Sequence, residues 1–120
     1  MPRLYEQEKQ GGNAVIHLKL FTPDANWTWY ITEADAVLKS GDQIALKDVK
    51  DWSQIEDIIM FGLIDGLEKE MGYVSFSEIK EVHGPLGLSI ERDRHFPDGT
   101  RLFQVAPEKF PAPGAKIKKS

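Results

Sequence analysis

The chain of 120 residues contains no cysteine, which excludes disulfides, zinc–thiolate sites and thiol catalysis. No apolar run approaches the ~18 residues a membrane-crossing helix requires. The opening "MPRLYEQEKQ" lacks the apolar stretch of a secretory signal, so the expected location is the cytoplasm. Phosphate-loop, dinucleotide-binding, nucleophile-elbow and His-Glu-x-x-His patterns are all missing. Nothing in the motif content argues for an enzyme, and no cofactor is expected.

Basic charge is scarce in the body of the chain. From Met1 to Ala106, 11 Lys and Arg stand against 18 Asp and Glu, a net of −7, whereas residues 107–120 carry four Lys and one Glu. An acidic body disfavours a broad phosphate-binding face and suits a basic partner. Hydrophobic residues make up 41% of the chain and charged residues 28%, the balance of a folded domain with room for one core.

What is present is mostly period-2 patterning. After Gly11-Gly12-Asn13, the run "AVIHLKLF" alternates apolar and mixed positions and reads as a strand. "TPDAN" is a turn, and "NWTWYIT" alternates again, so the two runs form a hairpin. Trp27, Trp29 and Ile31 share one face and are expected to close the core, which leaves Tyr30 on the other face as the candidate exposed aromatic. From Glu33 to Lys50 the pattern loosens, and Ser40-Gly41-Asp42 marks a second small hairpin. "DWSQIEDII" fits a helical turn capped by Ser53 with Glu56. "DIIMFGLID" reads as a buried strand, returned through Asp65-Gly66 by "EKEMGYVSF". Ser77 is the expected cap of a short helix "EIKEV". "LSIERDRHF" and "RLFQV" read as two further strands, and 107–120 as a flexible Pro/Lys-rich tail. The fold class expected is α+β: one domain over 1–106, with an antiparallel sheet of about five strands and one or two short helices.

Three constellations are candidates for chemistry. Glu91, Asp93 and His95, alternating along a strand, would offer oxygen and nitrogen ligands to a divalent metal, against a plain solvated face. Glu68, Glu70, Glu78 and Glu81, near His83, would be an acid/base set only within a cleft; solvated surface is the expectation. Arg92, Arg94 and Arg101, with Lys109, Lys116, Lys118 and Lys119, would make a local phosphate-binding patch if the tail folds back.

The segments "LKLFTPDANWTWYITE", "FGLIDGLEKEMGYVSFSEIKEV" and "GPLGLSIERDRHF" resemble a family of short bacterial proteins known only as a domain of unknown function. The resemblance runs from Val15 to Phe96. It implies a small accessory protein of plasmids, integrative elements or phages, near DNA-processing or counter-defence functions. It supplies no catalytic residues. Its Glu91-Arg92-Asp93 run suits a charge-paired element, with Arg92 expected to meet Glu70 or Glu78 across the sheet. The function expected is a non-enzymatic interaction protein binding a host or defence protein. A nucleic-acid-binding accessory protein is the alternative, and a metal-dependent enzyme the third reading. The residues put forward for binding are Tyr30, Glu68, Glu70, Glu91, Arg92, Asp93 and Arg94.

Overall fold

The computed structural model describes residues 1–110. The first hairpin forms as expected: β1 (Leu18–Phe21) pairs antiparallel with β2 (Thr28–Leu38), and Thr22 Oγ1 accepts from Trp27 N at 3.2 Å across the turn. Strand β2 runs six residues beyond the alternating "NWTWYIT". Its far end folds back through Gly41, at φ 94, onto β3 (Gln43–Ala45). Only glycine enters that left-handed region at little cost.

On its other side β2 pairs along its length with β4 (Ile55–Asp65), which returns through Gly66 to β5 (Lys69–Ser75). The sheet order is β5-β4-β2-β1-β6, where β6 is the short Glu91–Arg92 and β3 occupies the same side of β2 as β1. An α+β domain with an antiparallel sheet of six strands results.

The register of β2 against β4 explains why the alternation fades at Glu33. Ile31 faces Gly62 and Glu33 faces Phe61, so Thr32 is an extra residue, a β-bulge. A bulge reverses strand parity. Before it, Trp29 and Ile31 pack on one face with Met60, Ile64, Leu18 and Leu20; after it, Ala34 continues that face. Glu33 and Asp35 are thereby turned to the opposite face, where Tyr30 and Leu63 already point. Two cores follow, one on each side of the sheet. The first is closed by Ile79, Val82 and Ile90; the second by Ala14, Ile16, Leu102 and Ala106.

Local expectations differ from the structure at several points. The turn Trp52–Gln54 is a 3₁₀ turn capped by Asp51 Oδ1 rather than Ser53, and Ile55 and Ile59 belong to β4. The helix α1 (Phe76–Ile79) is capped by Ser75 in a reciprocal pair with Glu78. Ser77 instead donates its hydroxyl to Asp57 Oδ2 at 2.6 Å.

"RLFQV" is the helix α2 (Leu102–Val105), not a strand. A single bridge from Val15 to Arg101 offers no ladder, while Gln104 Oε1 accepts from Arg101 N at 2.8 Å and starts a helical turn. "LSIERDRHF" forms a strand only at Glu91–Arg92, which pair with Phe21 and Leu20 of β1. Beyond Ala106, Phe110 still packs on the second core and Glu108 meets Lys69 at 2.6 Å. The rest of the expected tail, with Lys116, Lys118 and Lys119, lies outside the described residues.

Candidate functional site

The bulge sends two carboxylates into the face covered by the N-terminal segment, and both hold that segment down. Asp35 accepts from Arg3 Nε at 3.1 Å, Gln43 Nε2 at 2.9 Å and Leu4 N at 3.3 Å. Burial pushes its pKa up, but these hydrogen bonds and the Arg3 charge outweigh burial and leave it below the ordinary 3.8.

Glu33, only 2% exposed, accepts from Gln7 N at 2.6 Å through Oε2. Gln7 then bridges inward, its side chain bonding Val15 N, Val15 O and Thr32 O at 2.8–2.9 Å. This segment reaches Asn13 and ends against Arg101, whose Nη1 donates to Asn13 O at 2.6 Å.

Between this segment and the sheet lies a cavity of about 220 Å³. Its floor is apolar, from Ala14, Met71, Leu102 and Phe110. Its aromatic walls are Phe61, Tyr73 and Tyr5, with ring centroids 4.8 Å apart for Phe61–Tyr73 and 6.5 Å for Tyr5–Tyr73. Among the described residues its charged groups are Glu33 and Glu8, and no Lys or Arg lines it.

Among the described residues Glu33 Oε1 accepts no hydrogen bond, so a deeply placed carboxylate keeps a free acceptor at the cavity. Tyr5 is the one non-glycine described with positive φ, at 72°. That backbone costs about 1–3 kcal/mol, and such strain gathers where a side chain must be aimed. Here it sets an exposed ring beside Tyr73. Contact with the Tyr5 hydroxyl, then burial and the nearby Glu33 and Glu8 charges, push the Tyr73 phenol up to about 12. As an ordinary phenol would, Tyr73 is a neutral donor at physiological pH, and the shift extends that further into the alkaline range.

The residues singled out in the sequence are not brought together. Tyr30 is half-buried, its ring 6.0 Å from Phe96 and 5.9 Å from Lys19 Nζ, so it packs rather than forms an exposed platform. Trp29 is core at 5% exposure, as expected; Trp27, at 40%, lies 6.0 Å from the Trp29 ring and covers Gly66.

Glu68 and Glu70 flank Trp27, Ile64 and Leu67 at the β4–β5 end. Arg92 pairs with neither Glu70 nor Glu78 among the described residues: Glu70 lies on β5, at the opposite edge of the sheet from β6, and Glu78 turns back to Ser75 N as part of the α1 cap. In that run it is Asp93 that pairs, with Lys19 at 3.2 Å, and it also accepts from His95 N at 3.0 Å. Among the described residues no three His, Asp or Glu side chains converge to hold a metal, Glu91, Asp93 and His95 included; the strand that would have aligned them stops at Arg92. Arg92 and Arg94 remain exposed beside one another, while Arg101 is engaged by Asn13.

A second cavity, of about 540 Å³, lies on the α1 side among Leu18, Leu20, Ile58, Met60, Ile79 and Ile90, with Lys80 and Arg92 among its lining residues. No helix among the described residues is long and apolar enough to cross a membrane.

Glu33, Gln7 and Tyr5 were not legible as a site. The one available signal was the pair of acids inside an otherwise apolar run, "ITEADAVL". Residues 51–108 match the model of a family described as protein of unknown function (DUF2958), which bears out the resemblance to a domain of unknown function. The match takes in Phe61, Met71, Tyr73 and Leu102 of the cavity but leaves Tyr5, Gln7, Glu8 and Glu33 outside it. No curated protein and no solved structure matches the chain.

Proposed function

We propose that this similarity to DUF2958 joins a chain built for binding rather than turnover: a small non-enzymatic interaction protein of a mobile genetic element or phage, acting in the cytoplasm, that binds and inhibits a host or defence protein. The observation that carries the reading is the cavity under the N-terminal segment, where a buried acid with a free oxygen sits behind two exposed tyrosines, Tyr5 at 62% and Tyr73 at 53%. Half-exposed tyrosines around a concave site are typical of protein contact surfaces. The −7 body directs that contact toward a basic partner. The mobile-element and counter-defence setting comes from the family resemblance alone.

The exposed Arg92 and Arg94 keep nucleic-acid binding as the second reading, although Lys19 and Arg101, the nearby cations, are already paired or hydrogen-bonded. A tagged pull-down from bacterial lysate, with and without nuclease, separates the two. One stoichiometric protein that survives nuclease, and is lost with Tyr5→Ala, supports the interaction reading. Recovery that vanishes with nuclease refutes it in favour of nucleic acid.

A further inference from the structure

We infer that the cavity under the N-terminal segment receives the side chain of a lysine or arginine presented by a partner protein, with Glu33 Oε1 as its counter-charge. The inference rests on the interaction reading above and names the chemistry it uses. Glu33 is 2% exposed and only one of its oxygens is used within the chain, by Gln7 N at 2.6 Å. That second oxygen is not sealed from solvent, since among the described residues the one buried side-chain oxygen without a partner is Asp24 Oδ1; Glu33 therefore offers a reachable acceptor in the cavity. Among the described residues no Lys or Arg lines the cavity that the oxygen shares.

The walls select the shape of the missing group. Tyr5, Phe61 and Tyr73 supply aromatic rings that attract an ammonium or guanidinium. Ala14, Met71, Leu102 and Phe110 supply apolar floor for an aliphatic stem. A side chain with a long stem and a cationic end satisfies both, and a volume of about 220 Å³ is on the scale of one side chain rather than a cofactor. Tyr73, neutral at physiological pH as a phenol ordinarily is, is able to donate a hydrogen bond without adding a second charge. The exposed outer parts of Tyr5 and Tyr73 favour a side chain that arrives on a macromolecule, since they offer surface beyond the hole itself.

The test uses the full chain labelled with ¹⁵N and four probes: acetyl-Gly-Lys-Gly-amide, its arginine counterpart, the same peptide with norleucine, and free n-butylammonium. The lysine or arginine peptide is expected to shift the amides of Gln7, Ala14 and Tyr73 in saturable fashion, and the norleucine peptide to leave them in place. Glu33→Gln keeps an acceptor for Gln7 N but removes the charge, and is expected to weaken peptide binding at least tenfold.

Equal shifts with norleucine, or undiminished binding to Glu33→Gln, overturn the inference. Binding of butylammonium without either peptide overturns the presented side chain in favour of a free amine. The norleucine comparison needs no variant, so it decides even if Glu33→Gln fails to fold. If the peptides bind but the lysate yields no partner, the interaction reading fails and the pocket chemistry stands. If a partner is captured equally by Glu33→Gln and Tyr5→Ala, the pocket chemistry fails and the interaction reading is left to another face.

Discussion

Replacing Gly62 by alanine is expected to be among the most damaging single changes in the sheet. Gly62 sits in β4 opposite Ile31, immediately before the bulge at Thr32. A Cβ there would overlap the Tyr30 carbonyl oxygen and lie 2.8 Å from both Tyr30 C and Ile31 Cα. Carbon atoms pack best at about 3.5–4.0 Å, so the strands would have to part by roughly 0.7–1.2 Å. Overpacking of this kind costs about 1–3 kcal/mol, and a lost ladder hydrogen bond adds about 1 kcal/mol.

A total near 2–4 kcal/mol is a large part of the ~5–15 kcal/mol that holds a domain of this size together. It corresponds to a fall in Tm of roughly 8–20 °C. Gly72→Ala is the control. It lies across the ladder from Gly62, yet its Cβ would meet only the flexible Ile64 Cδ1, at 3.3 Å. Its reduced unfolded-chain entropy offsets that contact, leaving an expected change within ~1 kcal/mol. Thermal unfolding followed by circular dichroism reads both variants. Limited chymotrypsin digestion at Tyr5 adds a local readout, because a shifted bulge would release Gln7 from Glu33. If Gly62→Ala melts within ~3 °C of the natural chain, or tracks Gly72→Ala, the tight bulge is refuted.

Two further outcomes follow from the packing. Asp35 has a folded-state pKa below its ordinary 3.8, so its contribution is present above that value and is lost as pH falls through the lower folded value. Urea unfolding between pH 6 and pH 2 is expected to show stability falling on the acid side, and Asp35→Asn a shallower fall; identical slopes would refute the anchoring role. Ending the chain at Ala106 removes Phe110 from the second core and is expected to cost about 1–2 kcal/mol relative to a chain ended at Phe110 in the same assay. Equal stability of the two would show that the Phe110 contact contributes nothing.

The hairpins were legible because each has one face to bury: Leu18 and Leu20 against Trp29 and Ile31, and Ile58, Met60 and Ile64 along β4. Local chemistry also announced their turns, at Ser40-Gly41-Asp42 and Asp65-Gly66. The site was not legible because its acids look like solvent-facing residues until strand parity is known. Glu33 and Asp35 follow Ile31 at intervals of two, which in an unbroken strand would place them beside Trp29.

The capping serine was misplaced for a related reason. Ser75 and Ser77 are equally good caps as sequence, and only the position of Asp57, on a neighbouring strand, assigns Ser77 elsewhere. "RLFQV" carries apolar residues that suit a strand, but the Val15–Arg101 bridge is its one strand-like pairing among the described residues, and from Leu102 its backbone bonds close locally as a helix.

The sequence by itself determined the strand-forming runs, their turns, the acidic body and the lack of cysteine chemistry, because these depend on neighbours along the chain. The tertiary structure decided where the acids point. One extra residue at Thr32, accommodated opposite Gly62, reverses the face of everything that follows it in β2. That single reversal carries Glu33 and Asp35 under the N-terminal segment, to partners 26 and 32 residues away at Gln7 and Arg3. Such pairings depend on strand register and the folded path, which no local pattern encodes.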